Sequence, residues 1–228
     1  MSTKIEKYYN TLFREQKDNT EGLFNQPSKH FIELLSSANK SSHLKYALDL
    51  GYGYGNYSIY LAQSGYHVDC IDIIDPSIFK SRLQNSYSTL DKINIICCDI
   101  KEYILSQTYD FVVCKDVLHY LSNSDIKIIL NKIYNHCSKN AVVYLVIFAD
   151  IIRRNKNGEI YTFKSEANLS SNNLIELINE IFSDWKTTTY FEEYKEAEKY
   201  NTKYKYYFEA TKITFILQNI KHKNKEWT

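Results

Sequence analysis

The stretch YALDLGYGYGNYSIYLAQSGYHVDCID, residues 46–72, decides the fold of this 228-residue chain. It predicts a short apolar strand, a glycine-rich loop, a short helix closed by Gly65, and a second strand. The loop alternates glycine and tyrosine: Gly51, Tyr52, Gly53, Tyr54 and Gly55. A loop between a parallel strand and a helix lies at the carboxyl end of the sheet, where open α/β sheets bind ligands. We therefore expect this loop to hold a ligand.

The glycine spacing excludes two common phosphate-binding motifs. The dinucleotide pattern G-x-G-x-x-G fails, because counting from Gly51 or Gly53 puts Asn56 or Ser58 in the last position. No Gly-Lys-Ser/Thr follows, so a P-loop is excluded as well. What remains is Asp49, one apolar residue and then G-x-G-x-G. The alternative reading is a strand-end loop whose glycines serve backbone geometry alone.

Apolar strands alternate with helices along the middle of the chain. The strands are KYALDL, HVDCID, INIICCD, YDFVVCKD and AVVYLVIFA, and this order predicts a parallel sheet covered by helices on both faces. The polar section 153–171 reads as a loop. The tail contains two strands, 185–194 and 203–218, with no helix between them, which predicts an antiparallel hairpin at the sheet edge. The expected fold is α/β and Rossmann-like, with seven strands.

Helical spacing also predicts two helices before the first strand. They span residues 3–19 and roughly 27–38, where Pro27 opens the second helix. The second helix places Phe31, Leu34 and Leu35 on one face.

Composition limits the partners and the compartment. With 28 basic and 27 acidic residues, the net charge of +1 gives no argument for nucleic acid or an acidic membrane as partner. The five cysteines form no CxxC pair, so we expect buried free thiols and no metal site. No apolar signal region or long apolar run is present. We expect a soluble, cytoplasmic protein without a membrane segment.

Acidic residues follow the next strands at the same edge of the predicted sheet. Asp72 ends the second strand, where a carboxylate can accept hydrogen bonds from both hydroxyls of a ribose. Asp99 ends the third strand, beside the place where an adenine would lie. Lys115 and Asp116 follow the fourth strand and flank the central cleft. Each aspartate alone fits a simple turn, but three at consecutive strand ends after a glycine loop favour a nucleoside-containing ligand.

The series LDLGYGYG, VDCID, CCDI and YDFVVCKDVLHYL resembles the motifs of class I S-adenosylmethionine-dependent methyltransferases. The resemblance covers about residues 45–217 and includes the terminal antiparallel hairpin. Within that class, the glycine-loop stretch, FKSEANLSSNNLIELINEIFSDWK and KYYFEATKITFILQ are most similar to tellurite-resistance methyltransferases. The resemblance to class I methyltransferases implies one methyltransferase-type domain over residues 1–228. In that domain the N-terminal helices 1–40 lie over the site, the core spans 45–217, and a basic tail spans 218–228.

The resemblance implies S-adenosylmethionine as cofactor and a set of residues that binds it. These residues are Asp49, Gly51, Tyr52, Gly53, Gly55, Asp72, Ile73, Asp99, Ile100 and Lys115. In this assignment Asp72 holds the ribose, Asp99 the adenine amino group, and Ile73 and Ile100 enclose the adenine ring. The loop backbone approaches the methionine part, as does the main chain near Lys115.

Asp49 and Tyr52 differ from the other residues of this set. Asp49 orders the loop and reaches the cofactor's amino group, directly or through water. Tyr52 departs from the family pattern, because that position mostly carries a small residue such as cysteine or alanine.

Three further features concern the acceptor. His119 is the candidate general base; the alternative is a histidine that orients the loop or caps the next helix. Tyr8 and the candidate catalytic Tyr9 lie on the N-terminal helix, where they line the acceptor pocket or only pack. Arg153 and Arg154 either bind an anionic group or form a solvated surface pair.

The resulting hypothesis is methyl transfer to an O, N, S, Se or Te nucleophile of a small molecule. One alternative is a non-methyl use of S-adenosylmethionine, such as cyclisation of its aminobutyryl chain. Another is a cofactor-binding accessory protein without catalysis. The sequence identifies neither the acceptor nor the oligomeric state.

Overall fold

The chain forms two compact units, residues 1–113 and 114–228. The computed structural model describes residues 26–38, 44–83, 90–155, 157–163, 166–197 and 207–220. The predicted helix over 3–19, with Tyr8 and Tyr9, lies outside the described residues, as does most of the basic tail.

The first unit is built around parallel strands. Its elements are α1 (Lys29–Ala38), β1 (Lys45–Leu50), α2 (Asn56–Gln63), β2 (Tyr66–Asp72), α3 (Ser77–Leu83), a 3-10 turn (Leu90–Lys92), β3 (Ile93–Cys97) and β4 (Tyr109–Lys115), which ends in the second unit. The strand order is β3-β2-β1-β4. β2 pairs in parallel with both β1 and β3, and Asp72 lies opposite Cys97. The carboxyl ends of β2 and β3 therefore lie side by side.

Burial and capping explain the local structure of this unit. Five of the six residues of β1 are buried, as expected of a strand inside a parallel sheet. Phe31, Leu34 and Leu35 are buried on one face of α1, as predicted. The predicted start at Pro27 is wrong by two residues, because the Ser28 hydroxyl accepts the Phe31 N–H at 3.2 Å and caps a helix that begins at Lys29.

The second unit contains helices and long antiparallel strands. After β4 come a 3-10 turn (Leu118–Tyr120), α4 (Asn123–Asn135), β5 (Cys137–Arg154), β6 (Ile160–Tyr161), α5 (Ser171–Ile181), β7 (Lys186–Glu196) and β8 (Phe208–Gln218). β8 lies between β5 and β7, antiparallel to both. The hydroxyls of Ser122 and Ser170 cap α4 and α5. The apolar stripe predicted for α4 is buried: Ile126, Ile129, Leu130 and Ile133.

β5 is much longer than the sequence indicates. The apolar run ends at Ala149, and we expected a polar loop from residue 153. A register shift between Ala149 and Ile152 lets the strand continue to Arg154. Asp150 takes a left-handed backbone with φ 52° at this bulge, and its side chain accepts the Ser171 N–H at 3.1 Å. The expected loop also contains β6, which pairs with the end of β5.

The predicted fold class is confirmed. The fold is α/β and Rossmann-like, with a mostly parallel sheet whose antiparallel strands come from the C-terminal part of the chain. The strand count of seven is wrong for the described residues, which contain eight strands because of β6. Of the five cysteines, only Cys70 and Cys114 are buried, so the expectation of buried thiols is wrong for the other three. Across the described ranges, no helix is long and apolar enough to cross a membrane.

The tight packing of Gly55 yields a stability prediction. A Cβ at Gly55 would come within 2.0 Å of the Phe79 ring, and Gly55 also has φ +74°. We expect Gly55→Ala to lower the free energy of unfolding by about 1 kcal/mol for the left-handed backbone and by roughly 1–3 kcal/mol more for the collision. Chemical denaturation followed by circular dichroism measures this loss.

Gly65 provides the matched control. It has φ +94°, but nothing lies within 4 Å of the position its Cβ would take. Gly65→Ala should therefore show only the backbone cost. Equal losses for the two variants would contradict the packing role assigned to Phe79.

Candidate functional site

The glycine loop turns sharply between β1 and α2. Gly51, Gly53 and Gly55 have φ values of 77°, 52° and 74°, a region that side chains disfavour. The Gly51 N–H donates to the Ile71 carbonyl at 2.7 Å, and the Gly55 N–H donates to the Tyr52 carbonyl at 2.7 Å. Three left-handed residues within five positions explain why glycine alternates here.

The carboxylate of Asp72 anchors this loop. Its Oδ2 accepts the Gly53 N–H at 2.9 Å. Its Oδ1 accepts the N–H groups of Ile73 at 2.7 Å and Ile74 at 3.3 Å. Burial raises the pKa of Asp72, although these three hydrogen bonds oppose the shift. A carboxylate offers about four acceptor positions, so these bonds leave roughly one for a ligand.

Asp49 is tied to the helix that follows the loop. It is 2% exposed, and its Oδ2 accepts the Ser58 hydroxyl at 2.6 Å. Ser58 in turn accepts the Cys70 thiol at 3.1 Å, which links β1, α2 and β2. Asp49 therefore holds the loop through α2, a route that the sequence did not indicate because Ser58 lies in an ordinary amphipathic helix.

Tyr52 is buried within the first unit. Its side chain is 5% exposed and packs against Phe79, with 5.2 Å between ring centroids. Its hydroxyl is buried and has no hydrogen-bond partner among the described residues. Burial raises the pKa of Tyr52, and the Asp72 carboxylate is the charge that raises it most. Tyr52 thus places an unpaired polar atom near the carboxylate that anchors the loop.

Asp99, Ile100 and Ile73 follow the strand ends next to the loop. The Asp99 carboxylate is half-exposed, accepts the Lys101 N–H at 3.0 Å and pairs with the Lys101 ammonium at 3.4 Å. Ile100 is buried and Ile73 is half-buried. Asp49, Tyr52 and the Asp72–Gly53 hydrogen bond therefore all lie at the glycine loop or hold it. Asp99 follows the end of the neighbouring strand β3.

In the second unit, β4 ends in a strained turn. Asp116 has φ 57°, a left-handed conformation that is costly for a residue with a side chain. Its N–H donates to the Val146 carbonyl at 2.8 Å, and its carboxylate pairs with Lys115. The second carboxylate oxygen, Oδ1, is buried with no partner among the described residues.

His119 lies in the 3-10 turn after β4 and is 4% exposed. Its ring contacts Tyr120 and Phe148, with centroid distances of 4.0 and 5.0 Å. Burial, with the charges of Arg153 and Lys115, lowers the pKa of His119 to about 3. The imidazole is therefore neutral at pH 7, and its Nδ1 is buried without a partner in the described part of the chain. The alternative of a helix-capping histidine is wrong, because Ser122 caps α4.

Arg153 and Arg154 are not a solvated surface pair. Arg153 is 6% exposed, forms an ion pair with Glu166, and lies 5.1 Å from the ring centroids of both Phe163 and Phe208. Arg154 is partly buried and pairs with Glu209. The surface reading is wrong because β5 continues past its bulge and carries both arginines into the fold.

Sequence reasoning missed Glu166, which lies far from Arg153 in a polar run. The Ala167 N–H donates to the Leu121 carbonyl at 2.7 Å and fixes that run. No local pattern in the sequence indicates such a contact. Among the described residues, no cluster of three or more His, Cys, Asp or Glu side chains could hold a metal ion.

Part of the chain is similar to a known protein family. A family model described as a methyltransferase domain matches residues 47–140, which include the glycine loop, Asp72, Asp99 and His119. No curated protein matches the sequence of the chain.

Solved methyltransferases share the fold at low sequence identity. TehB from Haemophilus influenzae has a TM-score of 0.59 and 18% identity; the match covers 83% of this chain and 62% of TehB, less than two thirds of its length. A methyltransferase dependent on S-adenosylmethionine (SAM) from Methanosarcina mazei has a TM-score of 0.58 and 16% identity, covering 87% and 100% of the two chains.

A third relative was solved with ligands. The 1,6-didemethyltoxoflavin-N1-methyltransferase from Burkholderia thailandensis has a TM-score of 0.59 and 13% identity, over 93% of this chain and 87% of its own. Its structure contains 1,6-didemethyltoxoflavin and S-adenosylhomocysteine. Residues 47–140 are thus similar to a methyltransferase domain, and the fold of the chain is similar to that of solved SAM-dependent methyltransferases.

The buried, neutral His119 generates a prediction about acid stability. The unfolded chain protonates this histidine near pH 6.5, whereas the folded chain keeps it neutral down to about pH 3. The unfolded state then binds more protons across this window, so the free energy of unfolding falls as the pH falls. When the pH falls from 7 to 5, we expect the free energy of unfolding of His119→Gln to decrease by about 2 kcal/mol less than that of the parent chain.

Urea denaturation at each pH measures the difference. His30→Gln, at an exposed histidine, serves as the control and should keep the pH dependence of the parent chain. The burial argument fails if His119→Gln and the parent chain lose stability in parallel.

Proposed function

We propose that the chain transfers a methyl group from SAM to a small-molecule acceptor. The observation that carries the proposal is the glycine loop, held with three left-handed glycines against the Asp72 carboxylate. The B. thailandensis relative, which binds S-adenosylhomocysteine, supports the same ligand class for this chain.

The residues of the first unit fit the cofactor with one refinement. The contacts of Asp72 leave room for about one ribose hydroxyl, at Oδ2, rather than two. The unpaired hydroxyl of Tyr52 is the polar group that we assign to the second ribose hydroxyl. Tyr52 thereby becomes a cofactor-binding residue in its own right.

The other candidate residues take narrower roles in this proposal. Asp49 is a positioning residue, because its burial and its bond to Ser58 favour holding the loop over direct contact with the cofactor. Asp99 offers its carboxylate to the adenine amino group, and Ile73 and Ile100 enclose the ring. The main chain at Lys115 flanks the methionine part. Tyr9 remains a proposed residue of the acceptor pocket within a single domain.

Bound SAM supplies an activated methyl group on a sulfonium, so the chain has to orient the acceptor and exclude water. In this proposal His119 orients a donor hydrogen of the acceptor at Nδ1. With a pKa near 3 the imidazole holds a transferred proton weakly, which favours orientation over storage of the proton.

Product analysis tests the function directly. The full chain is incubated with SAM and an extract of small metabolites, and the nucleoside products are separated. Methyl transfer predicts S-adenosylhomocysteine. Cyclisation of the aminobutyryl chain would instead release methylthioadenosine, and binding without either product would indicate an accessory protein.

A single-hydroxyl substitution tests the role of Tyr52. In the free protein Tyr52→Phe removes a buried, unpaired hydroxyl, and we expect the free energy of unfolding to rise by about 1 kcal/mol. In the complex the same change removes a ribose partner, so the Kd for S-adenosylhomocysteine should rise about tenfold. Denaturation and titration calorimetry measure the two effects.

Tyr54→Phe, in the same loop, is the control and should change both quantities little. Its side chain is only partly buried, and Arg82 donates to the Tyr54 main-chain carbonyl. A Tyr52→Phe variant that binds S-adenosylhomocysteine as tightly as the parent chain would exclude the ribose role.

A further inference from the structure

The second unit contains a cluster of aromatic and charged side chains around Phe148. The Phe148 ring lies 5.0 Å from His119, 4.8 Å from Tyr194 and 5.5 Å from Phe208. Phe208 in turn lies 5.1 Å from the guanidinium of Arg153. We call this set, together with Asp116 and Glu166, the Phe148 cluster.

Three buried polar atoms of this cluster lack a partner in the described ranges. They are Asp116 Oδ1, His119 Nδ1 and Glu166 Oε1. Burying an unpaired polar atom costs about 1–3 kcal/mol, so three in one cluster are unusual for a purely structural role. Both carboxylate oxygens only accept hydrogen bonds when ionised, and they call for N–H or O–H donors on a ligand.

The charges of the cluster are already balanced. Lys115 and Arg153 are the two cations whose charges act on His119. Lys115 pairs with Asp116, and Arg153 pairs with Glu166. Each cation therefore has its own carboxylate, and an anionic acceptor would have to compete with it. This balance favours an uncharged ligand over an oxyanion.

The ring content of the cluster favours a flat ligand. Phe148 and Tyr194 are only partly buried, so their rings are not fully used by the core. Nearby, the Phe163 ring also lies 5.1 Å from the Arg153 guanidinium, and the side chains of Tyr161 and Phe163 are exposed. Exposed aromatic side chains next to buried unpaired polar atoms are typical of sites that bind small, partly apolar molecules.

We propose that the Phe148 cluster is the acceptor subsite and that it takes an uncharged planar ring carrying N–H or O–H donors. This inference rests on the proposed methyl-transfer function and narrows it to a substrate class. The ring packs against Phe148 and Tyr194, and its donors reach the free oxygens of Glu166 and Asp116. Oxyanions, including tellurite, are outside this class.

Protein-detected NMR of the full chain tests the proposal, since it reports neutral and anionic probes alike. The probes are uracil, indole and 4-hydroxyquinoline as uncharged rings, and tellurite and selenite as oxyanions. Each is added to protein saturated with S-adenosylhomocysteine. We expect the rings, but not the oxyanions, to shift the backbone amide signals of Tyr120, Phe148 and Tyr194.

Variants locate the binding. Glu166→Gln keeps a polar group beside Arg153 but loses the charged acceptor, and His119→Gln changes the neighbouring Nδ1. Each should weaken ring binding at least about fivefold. Glu209→Gln, which alters the adjacent Arg154 ion pair, is the matched control and should bind rings like the parent chain. Thermal melting confirms that each variant is folded.

The outcomes separate this inference from the function on which it rests. If S-adenosylhomocysteine does not bind, the proposed function fails, whatever the rings do. If it binds but no ring shifts these amides, or tellurite shifts them more than the rings, the acceptor class is wrong. Equal ring binding by the parent chain, Glu166→Gln and His119→Gln would place the rings elsewhere.

Discussion

The hydrogen bond from the Gly53 N–H to the Asp72 carboxylate, 2.9 Å long, organises the candidate cofactor site. It joins the loop after β1 to the end of β2, two strands that already pair in parallel. The loop can reach the carboxylate only because its three glycines take left-handed backbone conformations. Glycine is required at position 55 for a second reason, because any side chain there would collide with Phe79. The same Phe79 ring holds Tyr52 in the interior.

Tyr52 is therefore compatible with the loop instead of disrupting it. Its ring packs against Phe79 in the apolar interior, and its hydroxyl has no hydrogen-bond partner among the described residues. A small residue at this position would leave the space beside Phe79 unfilled. The unusual tyrosine adds a polar group where the Asp72 carboxylate has about one acceptor position left.

The second unit buries polar groups that cost stability. The Arg153–Glu166 pair is buried, and such pairs contribute little net stability because both charges lose their hydration. An unpaired oxygen on each of Glu166 and Asp116 adds a further cost. Natural proteins tend to accept such costs at functional sites. That reasoning connects the Phe148 cluster with the acceptor rather than with folding.

The sequence predicted the features that depend on local patterns. Strand periodicity, the glycine alternation and the acidic residues at strand ends placed Asp49 and Asp72 correctly beside the loop. It did not predict the continuation of β5, because a bulge at Asp150 interrupts the apolar run. It also missed the pairing of Arg153 with Glu166, since contacts between distant residues leave no local pattern.

The central claim is that SAM binds at the loop anchored by Asp72. Amide chemical-shift mapping with S-adenosylhomocysteine tests it most directly. The account predicts the largest shifts at Gly51, Gly53 and Ile73, and none at Asn94, which is the second residue of β3 and donates to Asp69 in the middle of β2. Unchanged signals at the three loop and strand-end amides, with shifts confined to the Asn94 end, would contradict it.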